Sequence, residues 1–318
     1  MNAPLLVTSS PHIRASSSTR RIMLDVLLAL LPAVAASVVF FGLQALLVIL
    51  VTVASTMLTE FVTRKWILKR DFRLGDLSAV VTGILLALTL PPSIPLWLAA
   101  VGGILAIFLV KELFGGLGQN FMNPALGARV FLFLAWPAAM TDWSKPLMDA
   151  VTSPTPLAIL KGKEVAGAVL PHLSQLFLGD RAGCLGETSV IALLIGAAYL
   201  LARRVIHIRI PFAYLGTVAL LSWIFGNQHG FFQGDVAAYL MSGGLILGAF
   251  FMATDYATQP ISIPGKWLYA VGIGILTVVI RLYTNYPEGV MFAIIIMNTV
   301  VPLIDRHIVP KTFGGSRA

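Results

Sequence analysis

Apolar runs long enough to cross a bilayer recur through almost the whole chain, and that pattern dictates the class of fold. A membrane-crossing helix needs roughly 20 mostly apolar residues. Such runs fall near 23–41, 43–60, 77–90, 95–110, 124–140, 188–203, 210–226, 236–254, 265–282 and 288–304. In lipid every backbone amide must be paired inside its own segment, so all ten are predicted to be helical spans. Only 11% of the 318 residues are Asp, Glu, Lys or Arg, where a soluble domain carries about a quarter. That deficit excludes a soluble enzyme, and the 58% hydrophobic content excludes a disordered chain. A single cysteine, Cys184, leaves no intrachain disulfide and no four-thiolate cluster. Redox chemistry here must therefore use an organic cofactor or a partner's metal.

The positions of the charges give the orientation. Of the 22 basic residues, sixteen lie in segments on the side of the N-terminus and five on the other, with Arg129 inside a span. By the positive-inside rule both termini are cytoplasmic. The net charge of +8 then reports topology and gives no ground for a nucleic-acid partner. Residues 1–21, rich in Ser, Thr and Arg without an apolar centre, read as a cytoplasmic tail and not a cleaved leader. Residues 305–318 read as a second cytoplasmic tail, and residues 141–187 as a hydrophilic loop on the outer face.

The two halves of the chain repeat one another. Thr89, Pro91, Ser93, Ile94, Pro95, Trp97, Leu98, Ala100, Val101 and Gly102 match Thr258, Pro260, Ser262, Ile263, Pro264, Trp267, Leu268, Ala270, Val271 and Gly272, with one insertion after Pro264. The unit is five spans, 22–140 and 188–304. An odd number inverts the second copy in the membrane. The predicted fold is thus an all-α membrane protein of about ten spans in two inverted repeats. Such repeats place ligand sites near the midplane at short or Gly/Pro-broken spans. The run 77–90 is short and ends in Pro91-Pro92; its mate carries Gly243, Gly244 and Gly248 and ends before Pro260. Broken backbone at that depth needs a cavity or surrounding protein; the other reading is that the glycines only let helices pack closely.

Two short motifs could carry chemistry. Phe114-Gly-Gly-Leu-Gly-Gln-Asn-Phe-Met-Asn-Pro-Ala125 joins two spans. Gly115, Gly116 and Gly118 permit positive φ, Asn120 and Asn123 offer donors and acceptors, and Pro124 suits a first helical turn. This is a cofactor pocket or a tight turn capped by Asn123; with no preceding strand it is not a dinucleotide fingerprint. In the outer loop, Asp149-Ala-Val-Thr-Ser-Pro-Thr-Pro156 is expected to hold Thr155 extended and exposed between two prolines, as a modifying enzyme requires, though such stretches are also plain turns. Asp25, Glu60, Asp76, Glu112, Asp255, Arg281 and Asp305 sit near span ends, where most can snorkel. Arg129, one turn into a span, calls for an anionic partner such as a carboxylate or a flavin phosphate. The five histidines lack ligand spacing.

On these residues the chain resembles the RnfD/NqrB family, the D subunit of the Rnf electron-transport complex and the B subunit of the sodium-pumping NADH:quinone oxidoreductase. The resemblance runs from the first span to Lys311. It is carried by Phe114 to Ala125, Phe251-Met-Ala-Thr-Asp255, Tyr286-Pro-Glu-Gly289, Met297-Asn298 with Pro302-Leu-Ile-Asp305, and Asp149 to Pro156. It implies that a flavin transferase joins the phosphate of FMN to the Thr155 hydroxyl, within a signal that here reads Asp149, Thr152, Ser153, Pro154 and Thr155. Pro154 stands where the family more often has alanine. A second, non-covalent flavin, riboflavin, is implied as well.

The short segment before the first span favours the Rnf subunit over its quinone-reductase relative. The implied role is a flavoprotein subunit of an inner-membrane translocase, relaying electrons between ferredoxin and NAD with Na⁺ or H⁺ movement. Its implied partners are an outer FMN-carrying G subunit and iron–sulfur subunits. Gly115, Gly116, Asn120, Asn123 and Arg129 are expected around the FMN, and Asp255 and Glu288 at an ion or second-flavin site. The rival reading is an inverted-repeat transporter or channel, which would have no use for the Asp149 to Thr155 signal.

Overall fold

The computed structural model describes residues 18–69, 76–143, 154–161, 171–179, 181–226, 230–284, 286 and 288–309. Among them every regular element is helical. In chain order these are α1 (Thr19–Val62), α2 (Ser78–Thr89), α3 (Leu96–Ile104), α4 (Pro124–Ala135), α5 (Pro137–Met140), α6 (Pro156–Leu160) and α7 (Leu173–Leu178). Then follow α8 (Val190–Ala202), α9 (Arg209–Phe225), α10 (Val236–Met241), α11 (Leu245–Leu247), α12 (Ile263–Tyr283) and α13 (Val290–His307). Wider π-helical turns extend α1 over Thr63–Ile67, α3 over Leu105–Glu112 and α11 over Gly248–Met252.

Each of the ten apolar runs falls on helix. Among the described residues, three stretches are long and apolar enough to cross a membrane: Thr19–Ile67, Ile263–Tyr283 and Val290–His307. The first two runs share α1, but α1 is not straight. A straight helix from Ile22 to Glu60 would run about 57 Å. Yet Ile22 and Lys111 line one cleft, and Lys111 Nζ donates to Glu60 Oε1 at 2.7 Å. The chain therefore reverses at Gly42, where φ 65° and ψ −147° leave the helical range. The halves on either side run antiparallel, and both ends of α1 lie at one end of the molecule.

Sequence chemistry sets the other boundaries. Ser18, Asn123, Ser189 and Ser262 accept from first-turn amides and start α1, α4, α8 and α12; Pro124 follows Asn123 at the first helical position. Helix α2, at 12 residues, extends about 18 Å, too short for a hydrocarbon core of about 30 Å. It is accordingly an inner helix: Leu85, Leu86 and Leu88 belong to the main core with Leu30, Ala45, Leu98 and Leu132. The large apolar side chains left exposed, among them Leu31, Val39, Leu43 and Leu58 of α1, face outward as a bilayer requires.

Two findings depart from the sequence reading. The segment 181–187, assigned to the outer loop, is buried in the body: Gly186 N donates to Leu88 O at 2.7 Å and Leu185 N to Leu90 O at 3.0 Å. Its Gly183, Cys184 and Gly186 are small enough to enter beside α2. Glu60 and Glu112, placed at span ends as snorkelling charges, are 3% and 2% exposed. They stay inside because cations meet them there.

Candidate functional site

Polar and charged residues collect at two places, at opposite ends of α2. The first is the Ser78 end. Helix α2 begins on Leu77, which adopts φ +60°, a conformation unusual for leucine. Lys111, 1% exposed, donates to Ser78 Oγ at 2.6 Å as well as to Glu60. Arg64 reaches Glu60 at 2.9 Å and Glu112 at 3.1 Å, and Asp76 Oδ1 accepts from Ser78 N at 3.0 Å. Charges that would each be costly alone are held in mutual contact.

Beside this network lies a cleft, part of it open to solvent. Its polar lining includes Ser78, Lys111, Asn120, Asn123, Asp255 and Tyr256, and Ile22, Met23, Val26, Phe250 and Phe251 supply apolar wall. Gly115, Gly116 and Gly118 have φ of +116°, +93° and +87°, so the glycine turn uses the freedom expected of it. Gly116 packs against Arg64 and Glu112. Asn123 is the cap of α4, its Oδ1 accepting from Ala125 N and Leu126 N at 3.1 and 3.3 Å, with Nδ2 donating to Met252 O. Asn120 differs: its Oδ1 is buried without a hydrogen-bond partner among the described residues. An unpaired buried carbonyl in a cleft wall is the signature of a missing donor. Asp255 accepts from Ala257 N and Thr258 Oγ1 at 3.4 Å, and burial pushes its carboxyl above the ordinary carboxylate range.

The second place is the Leu90 end. Arg129, six residues into α4, forms an ion pair with Glu288 at 2.7 Å and donates to Cys184 Sγ at 3.1 Å. The carboxylate partner foreseen for Arg129 is thus Glu288, and the two sequence candidates are brought together. Glu187 packs against Glu288, and the ligand-capable atoms of Cys184, Glu187 and Glu288 lie within 4.8 Å of one another. Arg129 already occupies Cys184 Sγ and Glu288 Oε2, so a metal ion would compete with its guanidinium there. Arg281, fully buried in α12, donates to Tyr239 O at 2.8 Å, Ser242 O at 2.7 Å and Gly243 O at 3.2 Å. Arg181 donates to Met241 O and Glu187 O. Two arginines therefore satisfy the carbonyls that α10 leaves open where the span breaks at Ser242, Gly243 and Gly244. Helix α11 restarts from Gly244 at φ +63°.

Thr155 stands at this end too. It caps the short α6, Oγ1 accepting from Ala158 N at 3.3 Å, and at 6% exposed it is buried, where the sequence reading expects an exposed hydroxyl. Leu157 of α6 packs on Gly243, and Lys161 donates to Thr284 O and Tyr286 O. Asp149, Thr152 and Ser153 of the attachment signal lie outside the described residues. Gly115, Gly116, Asn120 and Asn123 sit at the Ser78 end and Thr155 at the Leu90 end, so they do not form one site; Asn120 and Asn123 join Asp255 instead.

Sequence reasoning passed over Lys111, Arg181, Glu187 and the embedding of Arg281. The repeat itself carries the missing signal for two of them. Continuing its register past Gly102 and Gly272 by nine residues pairs Lys111 with Arg281. Each proves to be a buried cation at the start of a short span.

Comparison with known proteins places the chain firmly. The model of the NQR2, RnfD, RnfE family matches residues 6–314. The chain is 47% identical over 313 residues to the D subunit of the Na(+)-translocating ferredoxin:NAD(+) oxidoreductase complex of Acetobacterium woodii, covering 98% of this chain and 95% of that one. It is 44% identical to the D subunit of the proton-translocating ferredoxin:NAD(+) oxidoreductase complex of Clostridium ljungdahlii, with 98% and 96% coverage. It is 41% identical to the D subunit of the ion-translocating oxidoreductase complex of Stutzerimonas stutzeri, with 94% and 93% coverage.

Proposed function

The chain belongs to the NQR2, RnfD, RnfE family, and from that premise we propose that it is the membrane flavoprotein (D) subunit of an ion-translocating ferredoxin:NAD oxidoreductase. Full-length identity of 47% to the corresponding subunit of such a complex carries this reading. The protein works as a part of that complex, which moves Na⁺ or H⁺ as electrons pass between ferredoxin and NAD. A transporter or channel acting alone has no support among these relatives.

The protein carries two flavins at opposite ends of α2. FMN is attached through its phosphate to Thr155, after maturation by a flavin transferase, on the outer face. The Thr155 residue fits such a link: its Oγ1 accepts from Ala158 N while its hydrogen has no acceptor among the described residues. An ester oxygen keeps that cap. The second flavin, riboflavin held without a covalent bond, occupies the cleft beside Ser78. The unpaired Asn120 Oδ1 supports this, since the imide N–H of an isoalloxazine is a donor of the kind it lacks. Bound there, the flavin would supply the electron-carrying chemistry; Asn120 would hydrogen-bond it, Lys111 would supply fixed charge, and Phe250 and Phe251 would exclude water.

The ten helical runs form two inverted five-helix repeats, 22–140 and 188–304, with both termini cytoplasmic in the bacterial inner membrane. The left-handed starts of α2 at Leu77 and of α11 at Gly244, together with the pairing of Lys111 and Arg281, support that symmetry. An FMN-carrying G subunit is the outer electron partner, and iron–sulfur subunits complete the path.

The test is a denaturing gel of the complex purified from a host with the transferase. A fluorescent flavin band is expected at this chain and is lost in Thr155→Ala. Fluorescence that survives Thr155→Ala would reject the attachment site.

A further inference from the structure

From the contacts at the Leu90 end we infer that Glu187 and Glu288 form a buried proton-exchange site in which the pair holds one proton, carried by Glu187. Carboxyl oxygens of Glu187 and Glu288 lie within 4.8 Å of one another inside the protein, at 5% and 3% exposure, and two like charges that close in a buried site disfavour ionisation of both. Arg129 fixes the negative charge on Glu288 through the 2.7 Å ion pair, so the proton resides on Glu187.

The surroundings keep that proton releasable. Arg281 lies on one side of the Ser242, Gly243, Gly244 break, its Nη2 2.7 Å from where a Cβ on Gly243 would stand. Glu187 Oε1 lies at the same break, 3.1 Å from the equivalent point on Gly244. Arg181 donates to the Glu187 backbone carbonyl. The groups facing the pair are thus Arg129 from α4, Arg181 and Cys184 from the segment before α8, and Arg281 from α12. Three cations against two carboxyls stabilise the ionised form, while burial and the Glu288 carboxylate hold the proton on; burial and Glu288 together lift the Glu187 carboxyl well above its usual range. On release the proton passes to solvent and Glu187 becomes a carboxylate among arginines.

A second observation points to exchange at this spot and not to a sealed structural pair. Of the five buried polar atoms without a partner among the described residues, four are here: Glu187 Oε1, Ser242 Oγ, Arg129 Nε and Arg281 Nε. Donors and acceptors left open together call for water, which serves as both. The species this site takes is accordingly a proton with its water, since a metal ion would compete with Arg129. The pair does not depend on either flavin being present.

Infrared difference spectroscopy of the intact complex between neutral and alkaline pH reads the carboxyl directly. The wild type is expected to show a protonated carboxylic C=O band at neutral pH that shifts in heavy water, shifts again with ¹³C-labelled glutamate, and disappears on alkalinisation. In Glu187→Gln that band is lost. If the wild type shows no glutamic acid band at neutral pH, the inference is overturned whether or not the variant assembles. A band unchanged in Glu187→Gln overturns it equally. Loss of gel fluorescence would remove the Thr155 flavin without touching either result.

Discussion

Lys111 and Arg281 each stand nine residues past a glycine matched between the two halves of the sequence, Gly102 and Gly272, and each is a buried cation set against a left-handed helix start. Lys111 holds Ser78 and Glu60 at one end of α2; Arg281 holds three carbonyls at the break before α11 at the other. Their partners differ because the breaks differ. Leu77 starts α2 with Ser78 and Glu60 at hand, whereas Gly244 starts α11 directly after the open carbonyls of α10. Lysine, a point charge, suits a carboxylate and a hydroxyl; the arginine fork suits several carbonyls at once.

Removing one member of the Glu60–Lys111 pair should therefore be costly. Lys111→Met leaves Glu60 buried with only Arg64, and breaking a buried pair costs about 3–5 kcal/mol. The double variant Lys111→Met with Glu60→Gln should recover a large part of that loss. Chemical denaturation of the detergent-solubilised complex measures the two single variants and the double, and a double loss equal to the sum of the single losses would show that the pair is not coupled.

Gly42 is the hinge of the α1 hairpin. A Cβ there meets nothing within 4 Å, so Gly42→Ala pays only for φ of 65° with ψ of −147°, about 1–3 kcal/mol. The expected result is lower yield of folded protein with both flavins retained in what folds. A wild-type melting temperature in Gly42→Ala would mean that α1 does not turn on this residue.

The all-helical membrane class and the Arg129 carboxylate are legible in the sequence, because apolar length and an intramembrane cation leave few alternatives. The Glu60–Lys111–Arg64–Glu112 network is not. Each charge sits at the margin of an apolar run, where snorkelling and burial look alike until Lys111 is seen across from Glu60. The segment 181–187 reads as loop because Arg181 and Glu187 are charged; its burial depends on Met241 O, Leu88 O and Leu90 O, acceptors contributed by distant parts of the chain. Asn120 and Asn123 stand out in the sequence, but which of them caps α4 and which faces the cleft is decided by Pro124 and the turn before it.

That division of labour between the two asparagines is testable. Asn120→Leu removes the unpaired carbonyl and leaves the α4 cap intact, so riboflavin content should fall while covalent flavin on the gel stays at the wild-type level. Asn123→Ala removes a cap worth about 1 kcal/mol and should lower stability as well as flavin content. Flavin extraction with chromatographic quantification distinguishes the two. Full riboflavin in Asn120→Leu would place the second flavin elsewhere.

The Arg129–Glu288 pair joins α4 to the start of α13 in the core. Arg129→Gln strands the Glu288 carboxylate beside Glu187, and Glu288→Gln strands the guanidinium, so each single change should cost about 3–5 kcal/mol. The double variant leaves no stranded charge of this pair and should be less damaged than the sum of the singles, with a coupling of about 0.5–3 kcal/mol. Arg129→Lys should not rescue, since Arg129 Nη2 meets both Glu288 and Cys184 from one planar group. A denaturation cycle over the four proteins gives the coupling. Additive losses would mean that the two residues are stabilised separately, and the proton on Glu187 would then have no fixed carboxylate to sit against.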